Sequence, residues 1–204
     1  MWLLIQKGGI VMYPILLCSV LTFAIFLEKL WSLREGKVIP EDFVKEVEDF
    51  IRVGKNNEAI ALCSTSKSPI GRIIYSGLKR IGKPIEVLKE AISEQGRQEA
   101  IFLERYLTTL GTIAGVSPLL GLLGTVTGMI KTFNVLAVSK KLGDPGLLSS
   151  GISEALITTA AGLIVAIPSF ILYKYFSSKV DRLVIKMEGI SLNFIEILRS
   201  KDGI

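Results

Sequence analysis

Three long stretches without charge constrain the fold of this 204-residue chain more than any other feature. Residues 8–27 and 106–130 carry no charged side chain, and residues 146–173 carry only Glu154. A helix needs about 20 apolar residues to cross the hydrocarbon core of a bilayer. Over such lengths helices satisfy their own backbone hydrogen bonds in lipid. The sequence therefore predicts three transmembrane helices.

The polar segments also carry helical patterns. Helix formers dominate from Ile85 to Arg105, so we expect one helix to run from Pro84 into the second span. After the third span an apolar seam recurs in steps of three and four, typical of helix packing; it consists of Phe176, Val180, Leu183, Met187, Ile190, Phe194 and Ile197. The predicted fold is an all-α membrane protein with three transmembrane helices. The second and third of them extend as long helices into a cytoplasmic helical domain.

The distribution of basic residues predicts the orientation. One Lys precedes the first span, fourteen Lys/Arg lie between the first two spans, three lie at Lys131, Lys140 and Lys141, and six follow the third span. By the positive-inside rule the long loop and the tail are cytoplasmic. The predicted segments are a transmembrane helix (1–30), a cytoplasmic helical region (31–105), a second transmembrane helix (106–137), an outer loop (138–145), a third transmembrane helix (146–174) and a cytoplasmic helical tail (175–204).

Composition excludes several classes of site. The net charge of +5 reflects this topology and contact with anionic membrane lipid, and no nucleic-acid-binding motif is present. The chain has no histidine, and its two cysteines, Cys18 and Cys63, fall in a span and in the cytoplasmic region. Neither a zinc site nor a disulfide is expected from this pattern, and no cofactor is predicted.

Small residues form a stripe on each of the last two spans. The stripes are Ala114, Ser117, Gly121, Gly124 and Gly128 in the second span, and Ala155, Thr159, Gly162, Ala166 and Ser169 in the third. Such stripes let helix backbones approach closely in lipid. We expect the two spans to pack tightly against each other or against neighbouring copies.

Glu154 is the residue that most suggests a function. A charged side chain near the centre of a transmembrane helix costs about 2.5–3.5 kcal/mol. A carboxyl group within the membrane can take a proton from one side of the bilayer and release it to the other. Thr158 follows Glu154 by one helical turn and lies on the same helix face, whereas Thr159 lies about 140° around the helix from Glu154. Thr125 lies beside the small-residue stripe of the second span. Two structural alternatives stay open. Either a protonated Glu154 fixes helix register, or a shallow carboxylate pairs with Lys140 or Lys141.

The runs SPLLGLLGTVTGMIKTF and GISEALITTAAGLIVAIPSF, residues 117–133 and 151–170, resemble the ExbB/TolQ/MotA family of ion-driven membrane motors, and ExbB and TolQ most closely. The resemblance implies a homopentamer in the bacterial inner membrane with a periplasmic N-terminus and a cytoplasmic C-terminus. It also implies an ExbD/TolR-like single-span partner in the central pore and a TonB/TolA-like protein beyond it. Glu154 matches the pore glutamate of the family, and Thr125 and Thr159 match its pore threonines.

The implied function is a proton-channel subunit that converts proton motive force into mechanical work for the outer membrane. The process served at the outer membrane would be transport of biopolymers or siderophores, or envelope maintenance, and the sequence does not distinguish between them. It also does not distinguish the proton from sodium as the coupling ion. The chain is not expected to be an enzyme, because it lacks a histidine base and a second acid at membrane depth. A passive scaffold with long cytoplasmic helices and a flagellar-stator-like channel subunit are the alternatives.

Overall fold

The computed structural model describes residues 8–138 and 145–202, and within these ranges every regular element is a helix. The helices are α1 (Met12–Ser32), α2 (Glu35–Val38), α3 (Glu41–Val53), α4 (Asn56–Thr65), α5 (Pro69–Leu78), α6 (Ile85–Glu104), α7 (Leu107–Val138) and α8 (Pro145–Asp202). Three helical stretches of this part of the chain have the length and apolar composition to cross a membrane: Met12–Ser32, Ile85–Asn134 and Gly151–Arg199. The expected fold class, with its two long later helices, is confirmed.

The chain divides into two compact units. The membrane unit comprises the described parts of Met1–Glu28 and Tyr106–Tyr175, and the polar unit comprises the described parts of Lys29–Arg105 and Phe176–Ile204. Of the predicted outer loop, residues 139–144 lie outside the described residues, and with them Lys140 and Lys141.

The membrane unit exposes large apolar side chains and buries small polar ones. Phe23, Phe133 and Ile164 are 63%, 66% and 70% exposed. In contrast, the buried hydroxyls of Thr22 on α1 and Ser169 on α8 form a hydrogen bond of 2.8 Å. An apolar exterior with hydrogen-bonded polar groups inside is the arrangement expected when lipid is the solvent.

The polar unit is built from amphipathic helices. On α3, Val47 and Ile51 are fully buried, and the helix ends at Gly54, whose φ of +93° suits a residue without Cβ. The apolar seam of α8 is confirmed, because Phe176, Val180, Leu183, Met187 and Phe194 are all buried.

A buried carboxylate joins α5 to α6 inside the polar unit. The Glu99 side chain is 1% exposed and accepts hydrogen bonds from both Nε and Nη2 of Arg72, at 2.7 and 2.5 Å. Gln95 Nε2 donates a third hydrogen bond of 2.8 Å to the same carboxylate. The hydrogen bonds from Arg72 to Glu99 raise the pKa of the guanidinium. Burial of this anion is therefore compensated by a fork-shaped cation and an amide.

The expectation of one uninterrupted helix from Pro84 into the second span is wrong. Helix α6 ends at Glu104 and α7 begins at Leu107, because Tyr106 has a positive φ of +69°. The Leu103 carbonyl accepts a hydrogen bond of 3.0 Å from the buried Nζ of Lys29. The last carbonyls of a helix lack intrahelical donors, so this contact stabilises the end of α6. It joins residues 74 positions apart and has no local sequence signal.

Candidate functional site

The small-residue stripes of α7 and α8 face each other within one chain. A Cβ added to Gly121 would lie 3.0 Å from Thr159 Cα, and one added to Gly162 would lie 2.6 Å from the Ser117 carbonyl oxygen. Real Cβ atoms essentially never lie as close as 2.6 Å to another heavy atom, so the contact at Gly162 requires glycine, and the 3.0 Å distance at Gly121 leaves little room for a side chain.

The same contact continues towards the α7–α8 connection. Gly124 lies against the Thr158 side chain, and a Cβ on Gly128 would be 3.3 Å from Ala155 Cβ. Gly151 lies against Thr132. Residue numbers rise along α7 as they fall along α8, so the two helices are antiparallel. Ala114 and Ala166 are also buried in the membrane unit.

Glu154 stands at the edge of this contact, beside Ala155. Its Oε2 accepts a hydrogen bond of 3.0 Å from Lys131 Nζ on α7. The Glu154 side chain is 21% exposed, against 66% for Lys131. On another side, a Cβ on Gly9 would overlap Glu154 Oε1, and Gly9 has a φ of +68°. The carboxylate is therefore flanked by an ammonium group and by bare backbone.

The three predicted threonines take different positions. Thr158 is fully buried, and its hydroxyl donates a hydrogen bond of 2.8 Å to the Ala155 carbonyl of the same helix. Thr159 is half-buried and donates across the contact to the Gly121 carbonyl at 3.3 Å. Thr125 is half-buried and donates to the Leu122 carbonyl of its own helix at 2.7 Å. Thus Thr158 and Thr159 lie in the α7–α8 contact and Thr125 lies on α7.

Sequence reasoning missed Lys131 as a site residue, although the second predicted span (106–137) includes it. Helix α7 continues to Val138, so Lys131 is part of the helix. A signal existed, since Lys131 follows Gly124 by seven residues and so shares the face of the small-residue stripe. Gly9 and its contact with Glu154 had no comparable signal, because the two residues are distant in sequence.

A carboxylate such as that of Glu154 is chemically able to bind and release a proton or a cation. Glu154 supplies an acid, and the hydroxyls of Thr125, Thr158 and Thr159 lie on the same two helices. No group of three or more acidic, Cys or His side chains that could hold a metal ion occurs in residues 8–138 and 145–202.

Residues 65–189, more than half of the chain, match the MotA/TolQ/ExbB proton channel family. The biopolymer transport protein ExbB-like 1 of Synechocystis sp. is 35% identical over 179 residues, covering 84% of this chain and 68% of that protein. An ExbB homolog of Methanothermobacter thermautotrophicus is 33% identical over 184 residues, covering 90% of this chain and 65% of that protein. The Tol-Pal system protein TolQ of Pseudomonas aeruginosa is 28% identical over 216 residues, covering 98% and 93%. The chain thus spans about two thirds of the first two relatives.

Proposed function

Because this chain belongs to the MotA/TolQ/ExbB proton channel family, we propose that it is the proton-channel subunit of a motor in the bacterial inner membrane. It is a membrane protein and not an enzyme. In the proposed motor, proton flow through this subunit drives a mechanical step. That step serves either transport of biopolymers or siderophores, or envelope maintenance.

The observation that carries this proposal is the position of Glu154. It is the one charged residue in 145–173, and it lies at the edge of the contact between α7 and α8. An acid retained at such a cost is expected to bind a transported ion. One charge moving across 100 mV releases about 2.3 kcal/mol, which is enough to bias a step between two packed states.

The proposed pathway consists of Glu154, Thr125, Thr158 and Thr159. Its coupling ion is the proton, with sodium as the alternative. Thr159 and Thr125 have half-buried hydroxyls, whereas the Thr158 hydroxyl is buried. The burial of Thr158 supports a second role for this pathway residue, which is to hold the helix that carries Glu154.

The proposed assembly is a homopentamer around an ExbD/TolR-like single-span partner, with a TonB/TolA-like protein receiving the motion. Family membership supports this kind of partner. Basic residues concentrated in 28–105 and after residue 173 support a cytoplasmic C-terminus and a periplasmic N-terminus.

Replacement of Glu154 tests the function. The chain is reconstituted with its ExbD/TolR-like partner in liposomes, and proton uptake is followed with a pH-sensitive dye under an imposed potential. Glu154→Gln keeps the shape of the side chain but removes its charge, so we expect uptake to fall at least about tenfold. The matched control is Glu196→Gln, an exposed residue on the same helix, which we expect to leave uptake unchanged. Native mass spectrometry checks that both variants assemble equally. Full uptake by the Glu154→Gln complex would remove Glu154 from the pathway, whereas a wild-type complex with no more uptake than protein-free liposomes would support the passive scaffold.

A further inference from the structure

We propose that Lys131 is the resident counter-ion of Glu154, and that a proton displaces its ammonium group each time the carboxylate is loaded. This use of the pair rests on the proposed function. The pairing itself rests on the geometry of two helices of the membrane unit.

The pair is isolated from every other charge in the spans. In residues 8–27, 107–138 and 145–173, Lys131 is the only basic residue and Glu154 the only acidic one. They lie on different helices, and their charged atoms are 3.0 Å apart. One cation and one anion placed in contact in otherwise uncharged segments offset part of the cost that each would carry alone.

The backbones around the pair are packed together, whereas the lysine side chain is mostly exposed. Gly128 contacts Ala155, and Thr132 contacts Gly151, so α7 and α8 touch on both sides of the pair. The Lys131 side chain is 66% exposed. Long basic side chains can turn towards a polar boundary while their stems stay on the helix. Opening the ion pair therefore requires only rotation of one side chain.

The turn before α1 closes another side of the carboxylate. Gly9 approaches Glu154 so closely that any Cβ would overlap Oε1. Residues 8–27, which include this turn, bring no charged group to the site. Lys131 is thus the one charged side chain within residues 8–27, 107–138 and 145–173 that can respond to the state of Glu154.

The exchange has a definite charge balance. Loading forms an O–H bond on the Glu154 carboxylate and breaks its hydrogen bond to Lys131 Nζ, while the ammonium keeps its own protons. The pair is neutral before loading and carries one positive charge afterwards. While the pair is closed, the ammonium also stands where a sodium ion would bind the carboxylate, so Lys131 favours the proton as coupling ion.

Carbodiimide labelling measures this pairing without any motor activity. Dicyclohexylcarbodiimide adds to protonated carboxyl groups, and in the proposal a proton must first displace the Lys131 ammonium that lies 3.0 Å from Glu154 Oε2. The full-length chain, in membranes with its partner, is labelled at neutral pH, and the Glu154 peptide is quantified by mass spectrometry. We expect Lys131→Met to raise the labelling rate about fivefold, and Lys131→Arg to stay within about twofold of wild type. Lys131→Gln gives the same comparison should the methionine variant fail to assemble.

Two controls complete the experiment. Glu154→Gln must give no adduct at position 154, which fragmentation of the peptide distinguishes from an adduct at Asp144. Lys174→Met, at the other end of the uncharged part of α8, is expected to label at the wild-type rate. A wild-type rate in Lys131→Met overturns the counter-ion proposal, and so does a Lys131→Arg rate equal to that of Lys131→Met. Labelling needs no ion flow. Full proton uptake by Glu154→Gln would therefore remove Glu154 from the proposed pathway and leave the labelling result to stand separately.

Discussion

At the scale of single residues, the absence of a side chain matters as much as its presence. Gly162 and Gly121 permit α7 and α8 to approach until backbone meets backbone. Gly189 lies on the same α8 helix with nothing within 4 Å of its Cβ position. Two glycines of one helix thus have opposite structural roles.

This difference predicts opposite effects of the same substitution. Gly162→Ala places a methyl group 2.6 Å from the Ser117 carbonyl oxygen, so α7 and α8 must separate. We expect a loss of about 1–3 kcal/mol in stability, typical of overpacking. Gly189→Ala is the matched control and should stabilise by up to about 1 kcal/mol, because alanine is the better helix former. Thermal unfolding in detergent, followed by circular dichroism, measures both. A lower melting temperature for Gly189→Ala than for Gly162→Ala would contradict this assignment.

At the scale of elements, contacts between helices matter more than helix propensity. In the polar unit, α5 is tied to α6 by Arg72 and the buried Glu99. On the surface of α6, Arg97 and Glu94 form a pair whose side chains are 70% and 58% exposed. Both are ion pairs, but only the first leaves a buried charge when it is broken.

Removing each arginine separates these two cases. Arg72→Met leaves the Glu99 carboxylate without its main partner, and we expect a loss of about 2–3 kcal/mol; the estimate is kept below that of a fully buried pair because Arg72 is 43% exposed. Arg97→Met removes an exposed pair, so the loss should stay below about 1 kcal/mol. Urea unfolding of the full-length protein in detergent gives both values. Equal losses in the two variants would show that burial of Glu99 does not control the stability of this unit.

At the scale of the whole molecule, the distribution of charge sets the orientation in the membrane. Fourteen basic residues between the first two spans predict that the polar unit is cytoplasmic. The native Cys63 interferes little with a labelling test of this orientation. Cys63 is buried, and burial raises the pKa of its thiol to about 12, so little reactive thiolate exists at neutral pH.

An impermeant maleimide tests the orientation directly. Ile10→Cys is expected to react in intact cells whose outer membrane is permeabilised, because Ile10 is 82% exposed near the predicted outer end of α1. Glu58→Cys, on an exposed position of α4, should react only after the inner membrane is opened. The unsubstituted chain, with Cys18 and Cys63 alone, supplies the background. Labelling of Glu58→Cys in intact cells would reverse the proposed topology.

Local patterns were sufficient for the fold class, and they selected Glu154 as the candidate site residue. The three uncharged runs correspond to three candidate membrane-spanning stretches. The apolar seam that begins at Phe176 is a buried face of α8. Glu154 stood out because no other acid occurs in its run. Each of these features can be recognised from residues that are close in sequence, because hydrophobic length and helical period depend only on neighbouring residues.

Contacts between distant residues had to come from the tertiary structure. Lys131 meets Glu154 across 23 residues, Lys29 meets Leu103 across 74, and Gly9 meets the carboxylate from another part of the chain. The break at Tyr106 belongs to the same class, because no glycine or proline marks it. The sequence by itself determined which segments are helices and which of them suit lipid. The register and the facing of those helices were set only by packing, because which side chains meet depends on how whole helices dock.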